Sequence, residues 1–183
     1  MHLQQTLMEY LLYNIFFKLK NYILVLLCLF SFSINCNTKI YNEPKDTIPI
    51  DSLVSFAKKQ IGIKYCYANC KPSTGFDCSG FVYYVFGHFN LKVPRSSMDY
   101  EKAGKIISID SCKIGDVIVF TGTNAKNRKS GHVGIILSNP GKEIKFIHSS
   151  SSKKGSGVKI STFKDSPNYK IRFIKVVRVA VIN

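Results

Sequence analysis

The apolar residues of this chain change their spacing once, from a helical period to the alternation of strands, and this change limits the fold. Residues 50–61 and 77–86 repeat apolar side chains at the three- and four-residue intervals of amphipathic helices. Residues 96–103 begin with a capping pattern and stop at a glycine, which predicts a third, shorter helix. The remainder of the chain alternates as strands do. Helices followed by a run of strands indicate an α+β domain rather than an alternating βαβ protein.

The strands predicted after the helices are expected to pair mostly antiparallel. Their ranges are 105–109, 116–121, 132–138, 143–149, 158–163 and 170–181. The sequence Asn139-Pro140-Gly141-Lys142 predicts a hairpin turn between two of these strands. Before the second helix, residues 64–76 are rich in glycine, proline and small polar residues, and we predict a loop there.

The first 36 residues have the pattern of an export signal. Lys18 and Lys20 precede an apolar run of about a dozen residues, whereas a helix that spans a membrane needs about 20. Cys36 follows this run directly and is a candidate for lipidation, which would anchor the N-terminus to a membrane. An N-terminal anchor helix that is never cleaved is the alternative. We therefore expect an exported protein, located in the periplasm, at a membrane or elsewhere in the cell envelope.

One domain of ordinary size accounts for the rest of the chain. Residues 37–48 resemble a short polar tether, and the folded domain is predicted over 49–183. With 45% hydrophobic and 20% charged residues, the chain is neither a disordered protein nor a polytopic membrane protein. Lysine and arginine outnumber aspartate and glutamate by 26 to 11. This excess predicts an anionic partner, which could be nucleic acid, a lipid surface or a wall polymer.

Nucleic acid is the least favoured of these partners. Binding it would need basic residues interleaved with exposed aromatic residues on one face. The aromatic residues of this chain alternate along the predicted strands, as core residues do. We expect no nucleic-acid partner.

Cys78 is the cysteine whose position best suits chemistry. The chain has six cysteines, too few for a disulfide scaffold, and Cys78 lies in the predicted first turn of the second helix. Unpaired backbone N–H groups at the start of a helix favour a thiolate and can bind an oxyanion. A thiolate is a nucleophile for acyl transfer. The alternative is that Cys78 is an inert packing residue, and a nearby base would decide against it.

His132 and His148 are the candidate bases, because each stands at one end of an apolar strand. A three-residue loop at 139–141 would place them directly opposite each other, with Cβ atoms about 4.5–5.5 Å apart. A two-residue loop, Pro140-Gly141, would put them on opposite faces of the sheet. We predict the odd loop, because it creates a Cys–His–polar arrangement in which His148 orients His132.

Five short motifs follow one another in an order and at spacings that are specific together. They are Asp77-Cys78-Ser79-Gly80-Phe81, Pro94-Arg95-Ser96-Ser97, Gly115-Asp116, Gly131-His132-Val133-Gly134-Ile135 and His148. From about residue 50 to the C-terminus, this series resembles the NlpC family of cell-wall cysteine endopeptidases. The resemblance implies a papain-like α+β fold, with N-terminal helices, one carrying the cysteine, packed on an antiparallel sheet of about five or six strands. It also implies hydrolysis of peptidoglycan peptide stems, most often between γ-D-glutamate and a diamino acid.

The resemblance also assigns roles to residues of the catalytic centre. Cys78 would be the nucleophile, His132 the general base and acid, and His148 the orienting residue. Tyr65 resembles a family tyrosine whose hydroxyl helps to hold the oxyanion, although it could also be a packed loop residue. Family members usually have two glycines after the aromatic residue that follows this tyrosine. This chain has Ala68-Asn69 there, so the backbone beside the oxyanion is expected to differ.

Three further residues are candidates for binding substrate. Asp77 and Ser79 flank the nucleophile at positions where family members hold the free amine of a stem peptide. Ser97, in the Pro-Arg-Ser-Ser segment, could face the substrate as well. Each has a structural alternative, because Asp77 could only cap the helix and Ser97 could only begin one.

The resemblance leaves two other functions to be weighed. An amidase that cuts between the sugar lactyl group and L-alanine is disfavoured, because the related amidases tend to have glutamine where this chain has Asp77. A wall-binding module without activity is disfavoured by the intact cysteine and histidines. We expect no metal and no organic cofactor, since Cys66 and Cys70 have no second pair beside them and are either bonded to each other or free. The expected partner is peptidoglycan or a muropeptide, and the expected state is a monomer.

Overall fold

The computed structural model describes residues 15–16, 18–20, 49–153 and 155–180. The chain divides into two units, Met1–Asn42 and Glu43–Asn183. In the first unit, the described residues are helical. The lipidation candidate Cys36, the tether and most of the predicted export signal lie outside the described residues. None of the helices in the described part of the chain is both long enough and apolar enough to cross a membrane.

The first two helices of the second unit begin close to where the sequence places them. They are α1 (Ile50–Lys58), α2 (Cys78–His88) and α3 (Pro167–Arg172), with 3₁₀ helices at Ser97–Glu101 and Ile109–Ser111. The third predicted helix is the first of these 3₁₀ helices, and its N-cap is Ser96, whose hydroxyl accepts from the N–H of Met98. Helix α3 was not predicted, because proline opens it inside a stretch whose apolar residues alternate.

The strands form a two-stranded and a six-stranded antiparallel sheet. They are β1 (Cys70–Lys71), β2 (Gly75–Phe76), β3 (Lys105–Ile107), β4 (Val117–Thr121), β5 (Ser130–Ile136), β6 (Lys145–Ser150), β7 (Gly157–Thr162) and β8 (Phe173–Arg178). The large sheet has the order β3-β8-β4-β5-β6-β7. The prediction of α+β architecture is confirmed. The predicted loop 64–76 contains the small sheet, and the predicted strand 170–181 begins only at Phe173.

Apolar side chains cover both faces of the large sheet beside the site. On one face, Phe81 and Val85 of α2 join a core with Val133, Ile135 and Ile147. A second core, with Phe120 and Phe146 at its centre, has Tyr169 of α3 packed against it. Every residue of β4 is buried, and its Phe120 pairs with His132 of β5.

The β5–β6 hairpin has the predicted parity but not the predicted register. Ile135 lies opposite Ile147 and Ile136 opposite Phe146, and this register extended by one residue puts Gly134 opposite His148. His132 and His148 therefore share a face but are diagonal neighbours, and the prediction of directly opposed histidines and a three-residue loop is wrong. The reason is Ser138, whose hydroxyl donates to Glu143 O and accepts from the N–H of Lys145, both at 2.7 Å. These bonds close the hairpin before the turn and make its loop longer.

Candidate active site

Cys78 is the first residue of α2, and its sulfur faces the strand that carries His132. Asp77 caps the helix, with its carboxylate accepting the N–H of Gly80. The side chain of Cys78 is almost buried, with 7% of the residue exposed. Its thiol donates to the carbonyl oxygen of Gly131, at 3.9 Å from Sγ, and the N–H of Val133 is near enough to lower the pKa of Cys78. The sulfur thus lies beside the backbone on both sides of His132.

The surroundings of Cys78 favour the thiol over the thiolate. Burial raises the pKa of Cys78 and is the largest influence on it, while the N–H groups of Val133, Ser79 and Cys78 itself lower it. The nearby carboxylate of Asp77 raises the pKa further. The thiolate that the helix start favours in isolation is therefore outweighed by burial, and the nucleophile needs a base to remove its proton.

His132, His148 and Ser161 form a hydrogen-bonded series across three neighbouring strands. The Nε2 atom of His132 lies 2.9 Å from Nδ1 of His148. The Nε2 atom of His148 lies 3.0 Å from the hydroxyl oxygen of Ser161, and the hydroxyl of Tyr169 is 3.5 Å from the same nitrogen. Because Nε2 of His132 is engaged by His148, Nδ1 is the nitrogen through which His132 could accept a proton.

Gly134 makes room for this diagonal arrangement. A Cβ atom at this position would lie 3.1 Å from Cβ of His148, 3.0 Å from the carbonyl oxygen of Ile147 and 2.9 Å from the ring of Phe146. These separations are shorter than ordinary van der Waals contacts. The absence of a side chain at position 134 therefore lets His148 occupy the space across from β5.

Both histidines are neutral at physiological pH. Burial lowers the pKa of His132 to about 3, and the positive charges of Arg172 and Lys159 contribute in the same direction. Burial also lowers the pKa of His148, with further contributions from His132, Lys159 and Arg172. A neutral His132 can accept a proton, which is what a general base must do.

The predicted substrate residues meet in one cleft of about 630 Å³ with the nucleophile. Tyr65, Asp77, Ser79 and Ser97 all line it. Burial raises the pKa of Tyr65, and so do Cys78 and Asp77, which line the same cleft. The structure therefore brings the predicted oxyanion residue and the predicted substrate residues together in the cleft beside Cys78.

Arg95 also lines this cleft, although no role was predicted for it from the sequence. Its guanidinium forms a two-pronged pair with Asp77, with N–O distances of 3.0 and 2.8 Å. It also donates to the hydroxyl of Ser79 at 3.3 Å, and that hydroxyl donates to Asp77. Asp77 is thus both the helix cap and the partner of a cation. The signal was present in the Pro-Arg-Ser-Ser motif, but a charge pair between distant segments cannot be seen in one sequence.

Tyr169 and Arg172 of α3 are two further residues near the site that were not predicted from the sequence. Tyr169 approaches His148, and the guanidinium of Arg172 lies over the Tyr169 ring at 5.7 Å from its centroid. Both residues fall where a strand or its approach was expected, so no sequence pattern pointed to them.

The other cysteines in the described part of the chain do not line the cleft beside Cys78. Cys66 and Cys70 are half-buried free thiols, and Cys112 is a buried free thiol. No disulfide links Cys66 to Cys70 in the structure, although the sequence left that pairing open. Among the described residues, no group of three or more histidine, cysteine, aspartate or glutamate side chains is placed to hold a metal ion.

A cysteine at the start of a helix, beside histidines on a six-stranded antiparallel sheet, defines a papain-like α+β fold. The model of the NlpC/P60 family matches residues 62–178. The chain belongs to the NlpC/P60 family.

Curated relatives have names that concern glutamyl bonds and murein. The chain is 32% identical over 131 residues to a gamma-DL-glutamyl hydrolase of Bacillus subtilis, covering 70% of this chain and 29% of that protein. It is 36% identical over 119 residues to murein DD-endopeptidase MepS/murein LD-carboxypeptidase of Escherichia coli, covering 64% and 56% of the two chains. A gamma-D-glutamyl-L-lysine dipeptidyl-peptidase of Bacillus subtilis is 32% identical over 106 residues, 58% of this chain and 33% of that protein. The chain thus spans less than two thirds of each of these relatives.

Solved structures have the same fold. An NlpC/P60 family protein of Bacillus cereus superposes with a TM-score of 0.62 at 26% identity, covering 73% of this chain and 41% of that one. The NlpC/p60 domain of the peptidoglycan hydrolase SagA superposes with a TM-score of 0.55 at 26% identity, covering 72% of this chain and 99% of that domain.

Proposed function

We propose that this protein is a cysteine peptidase that hydrolyses the peptide stems of peptidoglycan. The observation that carries the proposal is the placement of the Cys78 sulfur between Gly131 O and the N–H of Val133, on either side of a His132 oriented by His148. A nucleophile, a base and a group that orients the base are the parts that acyl transfer requires. The relatives' names supply the substrate class, since each concerns a glutamyl or murein bond.

The bond that we propose lies between γ-D-glutamate and a diamino acid. One relative is named for the bond between γ-D-glutamate and L-lysine, and another for γ-glutamyl hydrolysis. In such a substrate the acyl half ends in the γ-carbonyl of glutamate, and the leaving half begins with an amine. The two halves must extend in opposite directions from Cys78.

The reaction begins with two neutral groups. The thiol of Cys78 gives its proton to Nδ1 of His132 as the sulfur attacks the carbonyl carbon. The N–H groups at the start of α2, with the Tyr65 hydroxyl, then stabilise the oxyanion. His132, now an imidazolium, gives its proton to the departing amine, which leaves an acyl group on the sulfur. Water that His132 deprotonates hydrolyses this thioester and restores the thiol.

The first cleft would hold the acyl half through its free amine. Asp77 supplies the negative charge, and its Oδ2 atom has Arg95 as its one hydrogen-bond partner among the described residues. Ser79 and Ser97 add hydroxyl groups to the same wall. In this arrangement Arg95 fixes the carboxylate, and a substrate ammonium binds the side of the carboxylate that Arg95 leaves open.

The cell envelope is where such a substrate is found, and the N-terminal region suits delivery to it. We propose that residues 1–36 direct export and that Cys36 is the lipidation site. Palmitate labelling of the full chain in cells, wild type beside Cys36→Ser, tests this step. Labelling of the wild type alone supports lipidation, and equal labelling of both proteins contradicts it.

The activity is tested with muropeptide monomers and purified protein, with products identified by mass. Wild type, Cys78→Ala and Cys112→Ala form a matched set, because both cysteines are buried but Cys112 lies in the second core, away from the cleft. We expect a cut between D-glutamate and the diamino acid from wild type and Cys112→Ala, and none from Cys78→Ala. Release of whole stems from the sugar would show an amidase instead. No product from the folded wild type would contradict the proposal.

A further inference from the structure

His132 lines a second cleft, which is distinct from the nucleophile's cleft. This second cleft has a volume of about 460 Å³, and its walls come from β6, β7 and α3. The two clefts are neighbours, because His132 of the second cleft follows Gly131, which lines the first cleft. Hydroxyl groups and two cations dominate its surface, and none of the described residues that line it is acidic.

Lys159 and Arg172 are the two cations of the second cleft. Lys159 lies on β7 directly opposite His148. Arg172 is held in place by two bonds to the carbonyl oxygen of Thr121, of 3.3 Å from Nε and 2.8 Å from Nη2. Neither cation takes part in the ion pairs of the described residues, which join Arg95 to Asp77 and Arg178 to Asp116.

The positive charge of this cleft acts on the catalytic centre. After burial, Arg172 and Lys159 are the influences that lower the pKa of His132. Burial lowers the pKa of Arg172, and Tyr169 and then Cys78 raise it, so the guanidinium is within electrostatic range of the nucleophile. A cationic surface without a carboxylate partner, next to a reacting group, is suited to an anionic part of the substrate.

The direction of the reaction identifies the part of the substrate that the second cleft would bind. The group that protonates a leaving amine must lie within hydrogen-bond reach of it. His132 has that role in the proposed function, and the leaving half must therefore begin at His132. Since the first cleft is occupied by the acyl half, the second cleft is the space into which the leaving half extends.

We infer that the second cleft is a subsite for a carboxylate on the leaving half of the substrate, with Lys159 as its contact residue and Arg172 as a fixed supporting charge. This inference rests on the proposed function. A diamino acid that ends its peptide carries a carboxyl group one carbon from the amine that leaves. Lys159 is therefore suited to bind this group while His132 protonates the amine.

Two synthetic peptides that differ in one group test the subsite. L-Ala-γ-D-Glu-L-Lys ends in a free carboxylate, and its carboxamide removes the charge while keeping the size. We expect the full-length wild type to cleave the carboxylate with a kcat/KM about tenfold above that of the amide, since a charge-assisted hydrogen bond contributes about this much. In Lys159→Gln the ratio should fall toward one, and Lys159→Arg should restore most of it.

Lys145→Gln is the matched control. Lys145 is an exposed lysine on β6, at the other end of the β6–β7 pair, and does not line the second cleft. This variant should keep both the rate and the ratio of the wild type. Equal cleavage of the two peptides by the wild type, or an unchanged ratio in Lys159→Gln, would overturn the subsite alone. Failure of the wild type to cut either peptide would overturn the proposed function, and the subsite with it.

Discussion

His148 meets His132 edge to face, with their ring planes 89° apart and 2.9 Å between Nδ1 of His148 and Nε2 of His132. On its other side, His148 reaches the hydroxyl of Ser161. If Nδ1 of His132 is to accept the thiol proton, its Nε2–H donates to His148, and the Nε2–H of His148 donates to Ser161. Each ring then has one proton. We therefore expect His148 to be a positioning residue, which acts on the reaction through His132.

Substitution of the two histidines should separate these roles. We expect His132→Ala to lower kcat/KM by about 10³-fold or more, because the base is lost. His148→Ala should lower it by about 10- to 100-fold, since His132 keeps its chemistry but loses its orientation. Rates on a muropeptide measure both effects. His88→Ala is the control, because His88 is exposed and stacks on Phe56. A His148→Ala variant as inactive as His132→Ala would contradict the division of roles.

Alkylation of Cys78 should reveal its protonation state without substrate. Because burial raises the pKa of this thiol, the thiolate fraction is small at neutral pH and increases through the alkaline range. The rate of reaction with iodoacetamide, followed by the mass of the Cys78 peptide, should therefore climb with pH above neutrality. A rate that is already constant between pH 5 and about 7 would instead indicate a preformed thiolate–imidazolium pair.

The buried histidines should make the fold sensitive to acid. Their folded-state pKa values are below the ordinary value of 6.5, and that of His132 is about 3. Between the ordinary pKa of histidine and its lower folded-state pKa, the unfolded chain binds more protons than the folded chain. The free energy of unfolding therefore decreases as pH falls through this range. Urea unfolding at a series of pH values from 7.5 to about 4 should show this loss. His132→Gln should reduce the slope and His88→Ala should not, whereas equal slopes in all three proteins would contradict the assignment.

Ala68 should be a stabilising position for glycine. Its φ angle is +56°, in the left-handed region that a β-carbon disfavours, and related proteins are expected to have glycine there. We expect Ala68→Gly to raise the free energy of unfolding by about 0.5–1 kcal/mol, the strain relieved less the entropy that glycine costs. Ala103→Gly, at a residue outside the positive-φ set, should lower it by a similar amount. Equal effects of the two substitutions in urea unfolding would contradict this explanation.

The order of elements and the position of the nucleophile could be predicted from local pattern. The change in hydrophobic period separates helices from strands, and Asp77 marks the start of α2 because a capping side chain acts on residues beside it. Cys78 could be nominated from its place at a helix start, and His132 and His148 from their strand ends and the resemblance to the NlpC family. The site as a catalytic centre stays a prediction, tested by the substitutions above.

The features that could not be predicted from the sequence depend on contacts between distant segments. The hairpin register is decided by Ser138, whose bonds to Glu143 and Lys145 compete with a tighter turn that the Pro140-Gly141 pair also favours. The Arg95–Asp77 pair joins residues from separate elements. Burial, which raises the pKa of Cys78 above what a helix start favours, is a property of the packed chain and of no single motif.

The absence of a side chain at Gly134 affects which related chains can keep their activity. A β-carbon there would push against Cβ of His148 and the backbone of β6. A chain could therefore retain Cys78, His132 and His148 unchanged and still lose turnover, because one added methyl group would move His148 away from the ring it orients. In comparing such chains, glycine at this position is as informative about competence as the nucleophile itself.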